Sequence, residues 1–162
     1  MAIILRIAEK SDMGAVLELI KELAVFEKEE SAVEITESDL IRDGFDKERR
    51  FKVFLAEEEG EVLGMALIYD RYSTWKGRVI HLEDLIVRQK HRNRGIGGAL
   101  YKEVMNYAYG QGVKRVCWEV LDWNQVAIDF YASTGARILP GWQVVHMDEK
   151  SLGTYVRQSG VG

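Results

Sequence analysis

One stretch of this chain narrows its possible folds more than any other: a strand that ends in a basic, glycine-rich turn and restarts as a helix. Residues 79–87 form an apolar run. Arg88, Lys90, Arg92 and Arg94 follow with His91, then Gly95, Gly97 and Gly98, then apolar positions at Leu100, Val104 and Ala108 with helical spacing. A glycine turn opening a helix leaves backbone N–H groups unpaired, and the helix dipole adds positive potential there. The arrangement therefore predicts a cradle for a phosphate or pyrophosphate, with the four cations supplying further counter-charge.

At 162 residues and 47% hydrophobic composition, the chain has the length of one domain, 1–162, and enough apolar surface for a sizeable core. A net charge of −4 is too mild for bulk nucleic-acid binding, so no nucleic-acid partner is expected. The single cysteine, Cys117, excludes an intrachain disulfide and a cysteine-rich metal site, and it fits a reducing compartment. His81, His91 and His146 lack metal-ligand spacing, so no metal is expected. Residues 1–7 read as a first strand rather than a leader, and no apolar run approaches the roughly 18 residues that span a bilayer. These features predict a soluble, cytoplasmic protein without a membrane partner.

Periodicity orders the rest. Residues 3–7 read as a strand, Ser11 as an N-cap, and Val16, Leu19, Ile20, Leu23 and Phe26 as the buried stripe of a helix. Leu17, Leu19 and Leu23 are expected in the core. A short helix runs from Thr36 to Gly44. Residues 51–57 and 62–72 form a hairpin around Glu58-Glu59-Gly60, and 78–87 form the next strand. The helix after the glycine turn extends to about Gly110. Residues 115–121 read as a strand, 125–134 as a short helix closed by Gly135, 142–148 as a last strand, and the chain from 158 as a frayed tail. Cys117 reads as a small buried hydrophobe, and Trp118, Trp123 and Trp142 as packed aromatics. A meander followed by alternating strands and helices predicts an α/β domain, its mixed, twisted sheet covered by helices on both faces.

The glycine turn is not a nucleotide P-loop, because no Lys-Ser or Lys-Thr follows its glycines. It also departs from the dinucleotide fingerprint: Leu100 stands where the third glycine belongs, and seven residues separate Val87 from Gly95. The pattern Arg92-x-x-Gly95-x-Gly97 instead resembles the pyrophosphate-binding signature of the GNAT superfamily of N-acetyltransferases. A second segment supports the likeness, with Asn124, Ala127, Phe130-Tyr131 and Gly135-Ala136 in the family's order. The resemblance implies a GNAT-like fold and acetyl-CoA as cofactor. It assigns the pyrophosphate to Arg92, Asn93, Arg94, Gly95, Ile96, Gly97 and Gly98, and adds Asn124, Ala127 and Tyr131 to the cofactor side. Asn93 stands where close relatives often carry glycine, and asparagine tolerates the left-handed backbone.

Acetyl transfer to an amine needs a proton acceptor, because at neutral pH only about one alkyl amine in a thousand carries a free lone pair. Glu83 and Asp84 interrupt the apolar strand, pointing to opposite faces unless a bulge re-aims them. Glu83 reads as the general base, acting through an ordered water. The resemblance makes Tyr131 the general acid for the departing thiolate. The strand at Leu85, Ile86 and Val87 is expected to bind the thioester arm, its Leu85 and Val87 N–H groups polarising the carbonyl.

The likeness sharpens outside these motifs. Lys21-Glu-Leu-Ala-Val-Phe-Glu27, Asp43-Gly-Phe45, Tyr72-Ser-Thr-Trp-Lys-Gly-Arg78, Leu82-Glu-Asp84 and Val120-Leu-Asp-Trp-Asn-Gln125 are similar to the diamine acetyltransferases, a group holding spermidine/spermine and thialysine N-epsilon enzymes. Polyamine enzymes typically carry Asp-Pro-Trp where this chain has Ser73-Thr74-Trp75. Losing that carboxylate removes the partner of a second ammonium and leaves a group suited to the polar end of a lysine analogue. The resemblance thus implies an acceptor pocket of Phe26, Glu27, Ser73, Thr74, Trp75, Glu83, Leu121 and Asp122. It favours thialysine or a related small amine over polyamines, with a protein amine as a third choice. It also implies a homodimer, for which residues 142–155 offer interface area.

Overall fold

The computed structural model describes residues 2–160. It divides into two compact units, Met1–Leu121 and Asp122–Gly162.

The first unit holds a five-stranded sheet in the order β1 (Ile4–Ile7), β2 (Lys52–Glu58), β3 (Glu61–Ser73), β4 (Gly77–Val87) and β5 (Val116–Cys117). The first four strands are antiparallel neighbours and β5 joins β4 in parallel, so the sheet is mixed. A two-residue turn, Glu59-Gly60, joins β2 to β3 with positive φ at both residues, 51° and 81°. That is the turn whose twist matches a tight hairpin.

Alternation along β2 divides the core into two layers. Val53 and Leu55 pack with Met13, Val16 and Leu19 of α1 (Met13–Phe26) and Leu40 of α2 (Glu37–Phe45). Phe54 and Ala56 face the other way, onto Ile96, Leu100, Val104 and Ala108 of α3 (Ile96–Gly110). Helices therefore cover both faces, as the residue pattern predicts. Leu19 is fully buried, while Leu17 and Leu23 pack at the margin of that layer. A Cβ at Gly64 would come 2.6 Å from the Ile86 carbonyl oxygen. Only glycine lets β3 lie this close to β4 beside the basic turn.

In the second unit, α4 (Gln125–Ser133) is capped by Asn124, whose side chain accepts the Ala127 N–H at 3.3 Å. It ends in a Schellman motif: Ala136 N–H donates to Tyr131 O, Gly135 N–H donates to Ala132 O, and φ at Gly135 is +93°.

Four expectations need correction. Ser11 is not the cap of α1; residues Lys10–Asp12 form a 3-10 turn and Asp12 takes the N-cap position. The strand expected over 115–121 contracts to β5, because only Ile80 and His81 offer it a ladder. The strand expected over 142–148 is absent: these residues take no regular secondary structure despite their alternating apolar pattern, and Trp142 is 74% exposed rather than packed. Beyond it lies an unforeseen helix, α5 (Glu149–Gln158), whose signals are Asp148 accepting the Ser151 N–H at 2.7 Å and Arg157 in the last turn. Helix therefore reaches residue 158, where the frayed tail was expected to begin; residues 161 and 162 lie outside the described residues.

Candidate active site

The glycine turn has the backbone its sequence asks for. Asn93 takes φ +62°, and Gly95, the N-cap of α3, takes φ +77°. Gly95 has no side chain to satisfy the first N–H groups of a fifteen-residue helix. A Cβ at Gly98 would meet nothing within 4 Å, and one at Gly97 only Val87 Cγ2 at 3.7 Å. No protein atom therefore requires glycine at either position, and both leave open space at the helix entrance. That is the cradle a close-approaching pyrophosphate needs.

The cations around the turn are mostly committed elsewhere. Arg88 donates to Glu18 at 2.9 Å, Lys90 lies 2.5 Å from Glu61, and Arg94 donates to both oxygens of Glu58 at 2.8 and 2.9 Å. Among the described residues Arg92 alone of the four has no carboxylate partner. Its Nε donates to Val87 O at 3.1 Å, and its guanidinium lies 5.3 Å from the ring centre of Phe26. Arg92 is thus held in place while keeping its charge uncompensated.

β4 carries the second half of the site. Its parallel pairing with β5 stops at His81↔Cys117, so among the described residues 82–87 have no strand on that side. Arg88 N–H donates to Leu63 O at 2.8 Å, and strand alternation then turns the N–H groups of Leu85 and Val87 away from β3 toward the open side.

The register with β3 shifts once, from Leu67↔Asp84 to Ile68↔Leu82, making Glu83 the extra residue of a bulge. The bulge inverts the alternation. Ile80 and Leu82 face the α3 layer, Leu85 and Val87 pack against that same layer, and Ile86 faces α1. Glu83 and Asp84 consequently lie on one face, toward the end of α1. There Glu27 is fixed by a Schellman turn in which Glu29 N–H donates to Ala24 O, Lys28 N–H donates to Val25 O, and Lys28 has φ +62°.

Three carboxylates therefore share one environment. Burial pushes the Asp84 carboxyl up to about 7, with the charges of Glu83 and Glu27 adding to the shift. Burial also raises Glu27, helped by Glu83 and Glu29. Glu83 moves the other way, because its hydrogen bond from His81 outweighs its partial desolvation. His81 Nε2 lies 3.3 Å from Glu83 Oε2, and Tyr69 also hydrogen-bonds this carboxylate. No lysine or arginine pairs with any of the three among the described residues.

Phe26, Glu27, Glu83, Leu85 to Val87 and the turn from Arg92 to Gly98 thus surround one stretch of β4. Ser73, Thr74 and Trp75 do not adjoin it. They form the β3–β4 hairpin tip, five residues along β3 from the bulge, roughly 16 Å of strand. There the Ser73 hydroxyl accepts the N–H groups of Trp75 and Lys76, each at 3.2 Å, and Trp75 is 77% exposed. Leu121 ends the first unit, while Asp122, Asn124, Ala127 and Tyr131 belong to the second. A cavity of about 580 Å³ lies elsewhere, against Phe45, Arg49, Phe51 and Tyr107, and its lining includes Tyr69, the hydrogen-bond partner of Glu83.

Sequence reasoning did not foresee the part played by Asp84, Tyr69, His81 and Cys117. Cys117 is not a buried hydrophobe: it is half-buried, with its sulfur 3.5 Å from His81 Nδ1.

Residues 15–136 match the acetyltransferase (GNAT) family. The chain is 37% identical over 161 residues to a thialysine N-epsilon-acetyltransferase of Bos taurus, covering 93% of this chain and 95% of that one. It is 34% identical to a spermidine/spermine N(1)-acetyltransferase-like protein of Homo sapiens, covering 91% of this chain and 23% of the relative. Among solved structures, an integron cassette protein from the mobile metagenome of V. cholerae shares the fold, with a TM-score of 0.79 at 23% identity, covering 97% of this chain and 99% of that one.

Proposed function

This chain belongs to the acetyltransferase (GNAT) family, and from that premise we propose that it moves the acetyl group of acetyl-CoA to the side-chain amine of thialysine or a related small, lysine-like amine. The observation that carries the acceptor class is the trio Glu27, Glu83 and Asp84, turned to one face by the β4 bulge and lacking a lysine or arginine partner. Such a cluster attracts a cation and is relieved by one. The family match crosses from the first unit into the second, which supports treating 1–162 as one catalytic domain.

The residues present fit a coenzyme A pyrophosphate: a helix entrance without a side-chain cap, glycines that no packing demands, and an arginine held without a counter-ion. Acetyl-CoA, when bound, supplies the thioester carbonyl and the thiol leaving group. Arg92 to Gly98 would hold its phosphates, and the Leu85 and Val87 N–H groups would orient the thioester arm. Glu83 would take the amine proton through a water, with Glu27 and Asp84 drawing the ammonium in. Asn124 and Ala127 would complete the cofactor side, and Tyr131 would protonate the leaving sulfur. The diamine-acetyltransferase resemblance further supports a homodimer, to which exposed apolar residues of the second unit such as Trp142 and Tyr155 would contribute, and the single cysteine fits a cytoplasmic location.

The second reading is polyamine acetylation, favoured by the likeness to the human spermidine/spermine relative and by a cluster able to neutralise more than one cation. Parallel assays of the purified chain with acetyl-CoA and thialysine, lysine or spermidine decide between them. The expected order places thialysine first in kcat/KM, and a clear preference for spermidine overturns it. Tyr131→Phe should lower turnover on the order of 100-fold with coenzyme A binding retained. Unchanged turnover would remove Tyr131 from the chemistry.

A further inference from the structure

Across β3, β4 and β5 the register sets Tyr69, His81 and Cys117 side by side. Among the described residues His81 is the one polar side chain buried in the core, 6% exposed, and both its ring nitrogens have partners. Nε2 lies 3.3 Å from Glu83 Oε2, and Nδ1 lies 3.5 Å from Cys117 Sγ. The ring also stands 5.0 Å from that of Tyr69, whose hydroxyl hydrogen-bonds the same carboxylate.

From this row we infer that His81 is a positioning residue for acetyl transfer, aiming the Glu83 carboxylate at the acceptor, and that the Cys117 thiol selects the imidazole tautomer this requires. The inference rests on Glu83 as the proton acceptor. An ionised carboxylate only accepts hydrogen bonds, so Nε2 must carry the proton that reaches it. In a neutral imidazole Nδ1 is then an acceptor and needs a donor. The Cys117 S–H is the donor within reach; its alternative acceptor, Ile80 O, is farther, at 3.7 Å. Arg71 Nη1 approaches the sulfur at 3.9 Å, donating to it while the thiol donates onward. The chain of donors runs Arg71, Cys117, His81, Glu83.

This arrangement answers a problem that the bulge creates. A bulge re-aims Glu83 but leaves its side chain half exposed and free to swing. Two donors, His81 and Tyr69, restrain it and leave its remaining lone pairs for a water or the amine. The other groups facing it are Asp84 on the same strand and Glu27 at the end of α1, both acidic. Against those repulsions, the imidazole N–H keeps Glu83 available as an acceptor.

The test begins without a substitution. Imidazole 15N chemical shifts of the unliganded protein should report the Nε2–H tautomer for His81, and an Nδ1–H tautomer overturns the inference. Cys117→Ala removes the Nδ1 donor and should let an Nδ1–H fraction appear, while Cys117→Ser keeps the donor and the single form; an unmixed Nε2–H form in Cys117→Ala would show that Glu83 alone sets the tautomer and overturn the part given to the thiol. In activity, His81→Phe should lower kcat on the order of tenfold with a smaller change in acceptor KM, the scale set by a misdirected group. Its acidic limb in kcat/KM should move to higher pH, because Glu83 then loses the donor that favours its ionised form. His81→Gln, which places an amide N–H near Nε2, should recover most of both. A His81→Phe enzyme with unchanged kcat and acidic limb, in which Glu83→Gln still abolishes turnover, overturns the positioning role alone. Full turnover in Glu83→Gln overturns the base assignment and the positioning role together.

Discussion

Two charged regions flank the same stretch of β4, and they are built on opposite plans. The basic turn is largely neutralised from within the protein: Arg88 by Glu18, Lys90 by Glu61, Arg94 by Glu58, with Arg92 alone lacking a carboxylate partner among the described residues. The acidic group of Glu27, Glu83 and Asp84 meets no lysine or arginine among the described residues, and burial, with like charge adding to it, holds two of the three carboxyls above their usual range. Abundance of charge thus misleads in both directions. In the turn, a cluster of cations reduces to one arginine and a row of backbone N–H groups. On β4, three acids remain an uncompensated field. One region offers a shaped, mildly positive cradle; the other needs a cation to be comfortable.

The sharpest way to break this contrast is to remove charge from the acidic side. Asp84 has its carboxyl pushed from 3.8 to about 7 in the folded chain. The folded state therefore holds this proton more tightly than the unfolded one. Its stabilising effect is complete below the unfolded value and is lost as pH rises through the folded one. Asp84→Asn escapes that loss. It should match the parent near pH 4 and exceed it at pH 8 by up to about 4 kcal/mol, the upper limit set by a shift of about three units. Thermal unfolding of both proteins across that range checks it. A stability difference that does not grow with pH would mean that burial and the neighbouring acids do not raise Asp84.

On the basic side the contrast predicts unequal arginines. Arg92→Ala should weaken coenzyme A binding by about 30-fold, the scale of one charge-assisted hydrogen bond of about 2 kcal/mol. Arg94→Ala should cost no more than about threefold, because that guanidinium already serves Glu58 in a partly exposed pair. Calorimetric titration of coenzyme A into each variant measures both. Equal losses would show that the ion pairs of the turn open on binding, and the division drawn between the two regions would fail.

How much of this is legible before folding follows from which features are local. The hairpin, α1, α2, α3 and the glycine turn are written in periodicity and turn chemistry, and Asn93 and Gly95 adopt the backbone their residue types permit. The bulge is not written anywhere near Glu83. It exists because β3 offers one residue where β4 offers two, so no residue type on β4 announces that Glu83 and Asp84 share a face. The partners of the turn's cations are equally hidden, since Glu18 meets Arg88 from 70 positions away. His81 and Cys117 become neighbours only through the β4–β5 register. The segment 142–148 shows the converse failure, an alternating local pattern that forms no strand. Local rules therefore recover the framework and the cofactor turn, while the acidic half of the site is a product of register.

The hairpin tip offers the smallest and most selective test, because it asks whether the acidic side extends beyond β4. Ser73 Oγ accepts two backbone N–H groups in the turn, and an aspartate oxygen can accept both of them. Ser73→Asp should therefore leave the tip folded while adding one charge roughly 16 Å along β3 from the bulge. A lysine-like acceptor ends well before that point, whereas a polyamine carries further ammonium groups toward it. The ratio of kcat/KM for spermidine over thialysine should rise about fivefold, near 1 kcal/mol for a partly exposed pair, and fall back at high salt. An unchanged ratio would confine acceptor recognition to Glu27, Glu83 and Asp84, leaving Ser73 as a turn residue and nothing more.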